Sequence, residues 1–165
     1  MIKAVIISDS HGNNEALRKI IDDNPDADYY FHCGDFDADI SEFPELTAVC
    51  GNHDEIDEID LPLERILTVY GHRILMMHGH KYIYTMKDFK QTAAIIGKKN
   101  NCDIVMFGHV HVPVDEVIDG VRVINPGSLL FNFNLKRIGY MIITFNEDGS
   151  YETERIILPR KYQIT

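Results

Sequence analysis

Seven side chains with metal-ligand chemistry sit at or just beyond the ends of short apolar runs. Asp9 and His11 follow "KAVIIS", Asp35 follows "DYYFHCG", and Asn52 follows "LTAVCG". His78 ends "RILMM", and His109 and His111 follow "CDIVMFG". Asp9 and His11 are two residues apart, as are His109 and His111. In extended backbone that spacing puts both side chains on one side, so each pair offers two ligands to one pocket. The set holds no thiolate, which argues against a structural zinc site closed at four ligands. Seven donors exceed one open catalytic ion and fit two five- or six-coordinate ions that share a carboxylate. Oxygen and imidazole donors suit manganese, iron or zinc, with manganese first on geometry. Two ions about 3.5–4 Å apart clamp the attacking and leaving oxygens of an in-line displacement. The chemistry this implies is hydrolysis of a phosphate ester.

Taken singly, each residue has a plainer reading. An Asp after a strand is ordinarily a turn or helix cap, an Asn a turn residue, and a His a satisfied core or surface group. His32, upstream of its strand end, and His72, in a turn, are read that way. What changes the reading is recurrence. The runs close in "HCGD", "VCGN", "MHGH", "FGHVH" and "ISDSH", each with a glycine beside the polar residues. Ligands of open α/β sheets bind outside the carboxyl ends of the strands. Five such ends are expected to converge, with glycine permitting sharp turns and close approach. A rival site fails. Asp35, Asp37 and Asp39 are spaced like the start of a calcium loop, but its sixth and twelfth positions, Gly and Glu, are here Ile40 and Leu46. The acids of 22–28 and 54–60 are read as solvated faces.

The elements that must position these residues alternate in type. "KAVIIS", "DYYFHC", "LTAVC" and "CDIVMFG" read as buried strands. "NNEALRKIIDD" reads as a helix capped by Asn13 or Asn14, with Leu17, Ile20 and Ile21 on one face. "MKDFKQTAAIIGKKN" reads as a second, with Phe89, Ala93 and Ile96 inward and Gly97 near its end. Turns at 70–72, Asp119-Gly120 and Asp148-Gly149 predict three hairpins. The pattern is α/β, with a second sheet expected to be mostly antiparallel. No linker interrupts it, so one domain over residues 1–165 is expected.

Composition narrows the function classes. The chain has 165 residues, 45% of them hydrophobic, and a net charge of −10. No apolar run approaches the roughly 18 residues a membrane span needs. Ala4–Ile7 is too short for a leader peptide, so a cytoplasmic protein is expected. Lys98-Lys99 and Arg160-Lys161 are isolated, and without a basic stripe long nucleic acid is not an expected substrate. Cys33, Cys50 and Cys102 form no CxxC pair and read as small buried hydrophobes.

In order, Asp9-Ser10-His11, Gly34-Asp35, Gly51-Asn52-His53-Asp54, His78 and Gly108-His109-Val110-His111 resemble the motif series of the calcineurin-like metallophosphoesterases. "INPGS" at 124–128 resembles a segment of their small bacterial and archaeal phosphodiesterase members. The resemblance implies a four-layer α/β/β/α sandwich of two mixed sheets and a two-metal site. One ion would take Asp9, His11, Asp35 and His111, and the other Asp35, Asn52, His78 and His109, with Asp35 shared. Manganese is expected first, with zinc, iron, nickel or magnesium as alternatives. A metal-bridging hydroxide would attack phosphorus. His53, beside the metals, would protonate the leaving oxygen, and Asp54 would orient His53 or raise its pKa. Asn52, His53 and His80 are candidates to meet substrate, His80 having an equal claim to a purely supporting hydrogen bond. A small phosphodiester is the expected substrate. A protein-binding scaffold, a phosphomonoesterase and a nuclease are the alternatives; a retromer subunit of the same resemblance lacks the His of its G-N-x-D block, which His53 supplies here. Tyr82, Tyr84, Phe131 and Phe133 are candidate pocket, core or interface residues. Self-association is common among such relatives, and no surface for it is evident.

Overall fold

The computed structural model describes residues 1–54, 60–130 and 137–164. Phe131 and Phe133, and all of the 54–60 acidic segment between Asp54 and Asp60, lie outside the described residues. Ten strands build two five-stranded sheets. In the first, β1 (Ile2–Ile7), β2 (Tyr29–His32) and β3 (Leu46–Ala48) run parallel. The second holds β4 (Glu64–Val69), β5 (His72–Met77), β6 (Ile104–Met106), β7 (Val114–Ile118) and β8 (Val121–Asn125). There β5, β6 and β8 are parallel, flanked by antiparallel β4 and β7. The hairpin of β9 (Gly139–Phe145) and β10 (Tyr151–Ile157) joins the first sheet, through β9 against β1. Each sheet is therefore half parallel and half antiparallel, which corrects the expectation of a mostly antiparallel second sheet. The reason lies in β1. It is apolar on both faces and must be central, and the last hairpin supplies its second neighbour.

The side-chain alternation of the strands separates three cores. Ala4 and Ile6 of β1 meet Ile74, Met76, Ile104 and Met106 between the sheets. Val5 and Ile7 face the other way, onto Ala16, Leu17, Ile20 and Ile21 of helix α1 (Asn14–Asp23). Leu75, Met77 and Val105 likewise face Phe89, Ala93 and Ile96 of helix α2 (Phe89–Lys99). The result is the α/β/β/α layering. Asn13, not Asn14, caps α1, accepting the Ala16 N–H at 3.2 Å. His72 opens β5 rather than sitting in the turn, with Nδ1 2.5 Å from Asp103 and Nε2 2.7 Å from the Gly149 carbonyl. Cys33, Cys50 and Cys102 are buried and free. Among the described residues no helix is long and apolar enough to cross a membrane.

Gly97 lies inside the last turn of α2 rather than after it. A Cβ there would run into Val105 Cγ2 and Val121 Cγ1. Alanine is the better helix former by about 1 kcal/mol, but overpacking a close helix–sheet contact costs about 1–3 kcal/mol. Gly97→Ala is therefore expected to lower stability in urea melts; a gain would show that α2 shifts freely on its sheet.

Candidate metal centre

The carboxyl ends of six parallel strands, three from each sheet, meet along one edge. Backbone hydrogen bonds tie the following segments together. Asp9 N–H donates to the Gly34 carbonyl at 3.0 Å, Gly108 N–H to His78 at 3.1 Å, and Leu129 N–H to Asp9 at 3.1 Å. The last bond, with Ser128 Oγ donating to the same Asp9 carbonyl at 2.9 Å, crosses from one sheet to the other.

The seven donors singled out in the sequence come together here. His11 Nε2 lies 3.2 Å from His111 Nε2 and 3.6 Å from Asp9 Oδ1, and His111 Nε2 lies 3.0 Å from that same oxygen. On the other side, Asn52 Oδ1 is 2.9 Å from His78 Nε2 and 3.2 Å from His109 Nδ1. Asp35 Oδ2 faces both groups, 3.2 Å from His78 Nε2 and 3.8 Å from His11 Nε2. The sets Asp9–His11–His111, Asp9–Asp35–His78 and His11–Asp37–His53 each bring one ligand atom per residue within 4.8 Å of the others.

The two pairs come together, but not through extended backbone. Asp9, His11, His109 and His111 are not extended; their φ angles are 52°, 43°, 68° and 58°. Asp35 and Asp37 are also left-handed, so of the ten non-glycine residues with positive φ among the described residues, six stand at this site. Such backbone costs about 1–2 kcal/mol per residue, less for Asp and Asn, and persists only where surrounding contacts enforce it.

Those contacts come from neighbouring polar groups. Both oxygens of buried Asp54 accept backbone N–H groups: Asp35 at 2.8 Å and Gly51 at 2.7 Å on Oδ2, and Phe36 at 2.7 Å on Oδ1. Asp54 is thus neither part of a solvated face nor turned to the His53 ring; its carboxylate holds the loops that carry Asp35 and Asn52. Asp35 Oδ1 accepts the His53 N–H at 2.8 Å. Gly51 packs directly on the Asp35 carboxylate and Gly108 on Ser8 and Asp9, positions a Cβ would fill. The exposed His53 ring stands edge-on to His11 at 5.1 Å. His80 flanks the cluster, its ring 5.4 Å from His78 and 6.4 Å from His109, with a buried Nδ1 that has no hydrogen-bond partner among the described residues.

The donor set fits a divalent ion. Among the described residues Asp9 Oδ1 is buried without a hydrogen-bond partner, although two imidazole nitrogens point toward it. His78 Nδ1 lies 2.8 Å from the Cys33 carbonyl and so donates to it, while Nε2 faces the oxygens of Asn52 and Asp35. Burial opposes protonation of His78, and Asp35 and Asp9 outweigh it, raising its pKa; the positive charge these oxygens call for is supplied by a proton on Nε2 or by a metal ion in its place. Electrostatics agree. Burial opposes ionisation of Asp9, and His11 and His111 outweigh it, holding its carboxyl far below the usual range. Burial opposes protonation of His11, yet Asp9 and Asp37 raise its pKa to about 9. Metal would compete with these protons.

Sequence reasoning passed over several supporting residues. Asp37 Oδ2 lies 2.7 Å from His11 Nδ1, turning Nε2 to the centre, as carboxylates do behind metal-binding histidines. The D-x-D spacing was visible, but only as a failed calcium loop. Ser8 donates to Asp9 Oδ2 at 2.5 Å, and Asn125 Nδ2 donates to the Gly108 carbonyl at 2.8 Å. The contacts of Asn125 and Ser128 span long stretches of chain, which no local pattern reveals.

Residues 2–148 match the calcineurin-like phosphoesterase superfamily domain, and the chain belongs to that family. It is 33% identical over 145 residues to a "Probable metallophosphoesterase" of Mycoplasma pneumoniae, covering 84% of this chain and 86% of the relative. Among solved structures it is similar to one described as a novel archaeal phosphodiesterase, at 26% identity and a TM-score of 0.73, over 95% of this chain and 100% of that one. Vps29 of Entamoeba histolytica, complexed with zinc, shares the fold at 20% identity and a TM-score of 0.72, over 94% and 99% of the two chains.

His32 generates a pH prediction. Its Nδ1 accepts the Gly34 N–H at 3.1 Å, so Nε2–H donates to Ser10 Oγ at 2.9 Å. Full burial lowers its pKa to about 3. Below the ordinary value of 6.5 the unfolded chain binds a proton that the native state refuses. The stability from neutral His32 is thus complete above pH 6.5 and lost as pH falls toward 3, by up to about 1.4 kcal/mol per unit. His32→Gln is expected to flatten the decline between pH 6.5 and 4 in denaturant melts, whatever it costs at pH 7.

Proposed function

We propose that this protein is a phosphodiesterase for small substrates that works in the cytoplasm with two divalent metal ions. The observation that carries the reading is the convergence of Asp9, His11, Asp35, Asn52, His78, His109 and His111 at one edge of the two sheets, with the buried Asp9 Oδ1 left without a hydrogen-bond partner among the described residues. Asp9, His11, Asp35 and His111 would hold one ion. Asp35, Asn52, His78 and His109 would hold the other, and the position of Asp35 Oδ2 between His78 and His11 supports a shared carboxylate. Bound divalent ions supply an acidified water and neutralise charge on the phosphate. Oxygen and imidazole donors suit manganese, iron or zinc, and manganese is the ion proposed first.

The remaining roles belong to the chain. His53 stands exposed at the mouth, anchored through its N–H to Asp35, where it can hold a proton for the leaving oxygen. Asp54 is a positioning residue for Asp35 and Gly51, and Asp37 is one for His11. His80 and Asn52 flank the space a phosphate oxygen would enter. The likeness to the archaeal phosphodiesterase supports the diester preference, and the net charge of −10 counts against long nucleic acid.

Metal analysis and a panel of phosphodiesters, phosphomonoesters and cyclic nucleotides with Mn²⁺, Zn²⁺ and Mg²⁺ test this. Diester hydrolysis with two ions per chain is expected. Turnover of monoesters alone would overturn the diester preference, and two bound ions without any turnover would point to a scaffold. His53→Ala should keep both ions and lose about 10²–10⁴-fold in turnover of a diester with an alkyl leaving group; full activity would remove His53 from the acid role. Asp35→Asn should lose metal occupancy. Asp37→Asn should weaken metal binding about 10–100-fold by calorimetry.

A further inference from the structure

A cavity of about 190 Å³ opens beside His109, lined otherwise by Ile83, Tyr84, Thr85, Met86 and Val110. Two segments make it: the chain leading from His78 toward α2, and the link between His109 and His111. Its floor is fixed. Ile83 and Val110 pack into the core under α2. The N–H groups of Tyr82 and Ile83 donate to the Gly79 carbonyl at 3.0 and 2.9 Å, and Tyr82 Oη donates to Glu64 at 2.5 Å. Its rim is different. Tyr84 is 83% exposed and Met86 55%, two large apolar side chains in water at the edge of a polar centre. His109 belongs to both places. Its Nδ1 is 3.2 Å from Asn52 Oδ1 among the metal donors, and its ring also walls the cavity.

A phosphate ester has two parts with opposite needs. The charged phosphate belongs with the metal donors, and the organic substituent must go where apolar surface can cover it. We propose that this cavity is the subsite for the organic substituent of the ester, and that it takes a single apolar or aromatic ring. The size argues for one ring, since an apolar cavity of about 150 Å³ holds benzene. The lining argues for an apolar ring. Tyr84 offers an aromatic face and Met86 an adaptable thioether, both suited to stacking on a flat partner. The proposal rests on the phosphoesterase reading, because it uses the metal centre to hold the phosphate.

Two non-hydrolysable probes separate the two claims. Methylphosphonate and phenylphosphonate present the same charged head, and only the second carries a ring. Titrated calorimetrically into manganese-loaded protein, the phenyl compound is expected to bind about tenfold tighter, from covering one ring in a half-open cavity. Tyr84→Ala and Met86→Ala remove exposed side chains, so folding is not at risk. Loaded with the same number of ions, each should reduce the phenyl-to-methyl ratio, and the double variant should bring it within about twofold of unity. Equal binding of both probes to the wild type, or a ratio unmoved in the double variant, would overturn the ring subsite and leave the phosphoesterase reading intact. Binding of neither probe, with no diester turnover, would overturn both.

Discussion

The two sheets close on the carboxylate of Asp9. The residue is fully buried; Oδ2 is satisfied by the Ser8 hydroxyl and the His109 N–H, and Oδ1 is left to imidazole nitrogens. Its backbone is equally committed, donating to Gly34 in the first sheet's loops and accepting from Ser128 and Leu129 beyond the second sheet. A buried carboxylate with one oxygen unmatched costs several kcal/mol unless a positive charge answers it. The junction of the sheets and the donor cluster are therefore one feature. The contacts that join the layers also hold an anion in place with a cation's position beside it.

Around that anion, the choice of residue types follows from backbone shape as much as from ligand chemistry. Six site residues lie in the left-handed region, which β-branched and bulky side chains avoid and Asp and His tolerate better. Where chain segments come closest to a carboxylate, at Gly51 and Gly108, even a methyl group has no room. Asp54 then holds the arrangement with three amide hydrogen bonds. Placing a carboxylate behind the loop, rather than beside His53, stiffens Asp35 and Asn52 together.

Much of this was legible in the sequence because it is local. A strand that buries both faces is a continuous apolar run, and the polar residues closing "KAVIIS", "HCGD" and "VMFGHVH" mark where such runs end. Hairpins turned at Asp-Gly were equally plain. What stayed hidden depends on contacts between distant segments. Nothing local says that β9 pairs with β1 rather than with the second sheet. Asp37 and Asp54 looked like members of acidic stretches, and only the fold shows one behind His11 and the other under the Asp35 loop. Asp9 and His11 do lie side by side, although the premise of the spacing rule, extended backbone, does not hold here.

The same arrangement bears on how a chain of net charge −10 would attract the anionic substrate proposed for it. Field at a site is set by the charges nearest to it, since exposed charges beyond about 8–10 Å are largely screened by salt. Among the seven proposed ligands only Asp9 and Asp35 carry formal negative charge; Asn52 and four imidazoles contribute none. Two divalent ions held by that set would leave an excess of about +2 over the ligands themselves, which Asp37 behind His11 and Asp54 behind Asp35 offset by simple count of charges. An Asp in place of Asn52 would make the centre one unit more negative while keeping an oxygen at the same place. In the proposed phosphoesterase the neutral amide would avoid adding a further negative charge facing the phosphate, and the acidic remainder of the surface would turn away long polyanions.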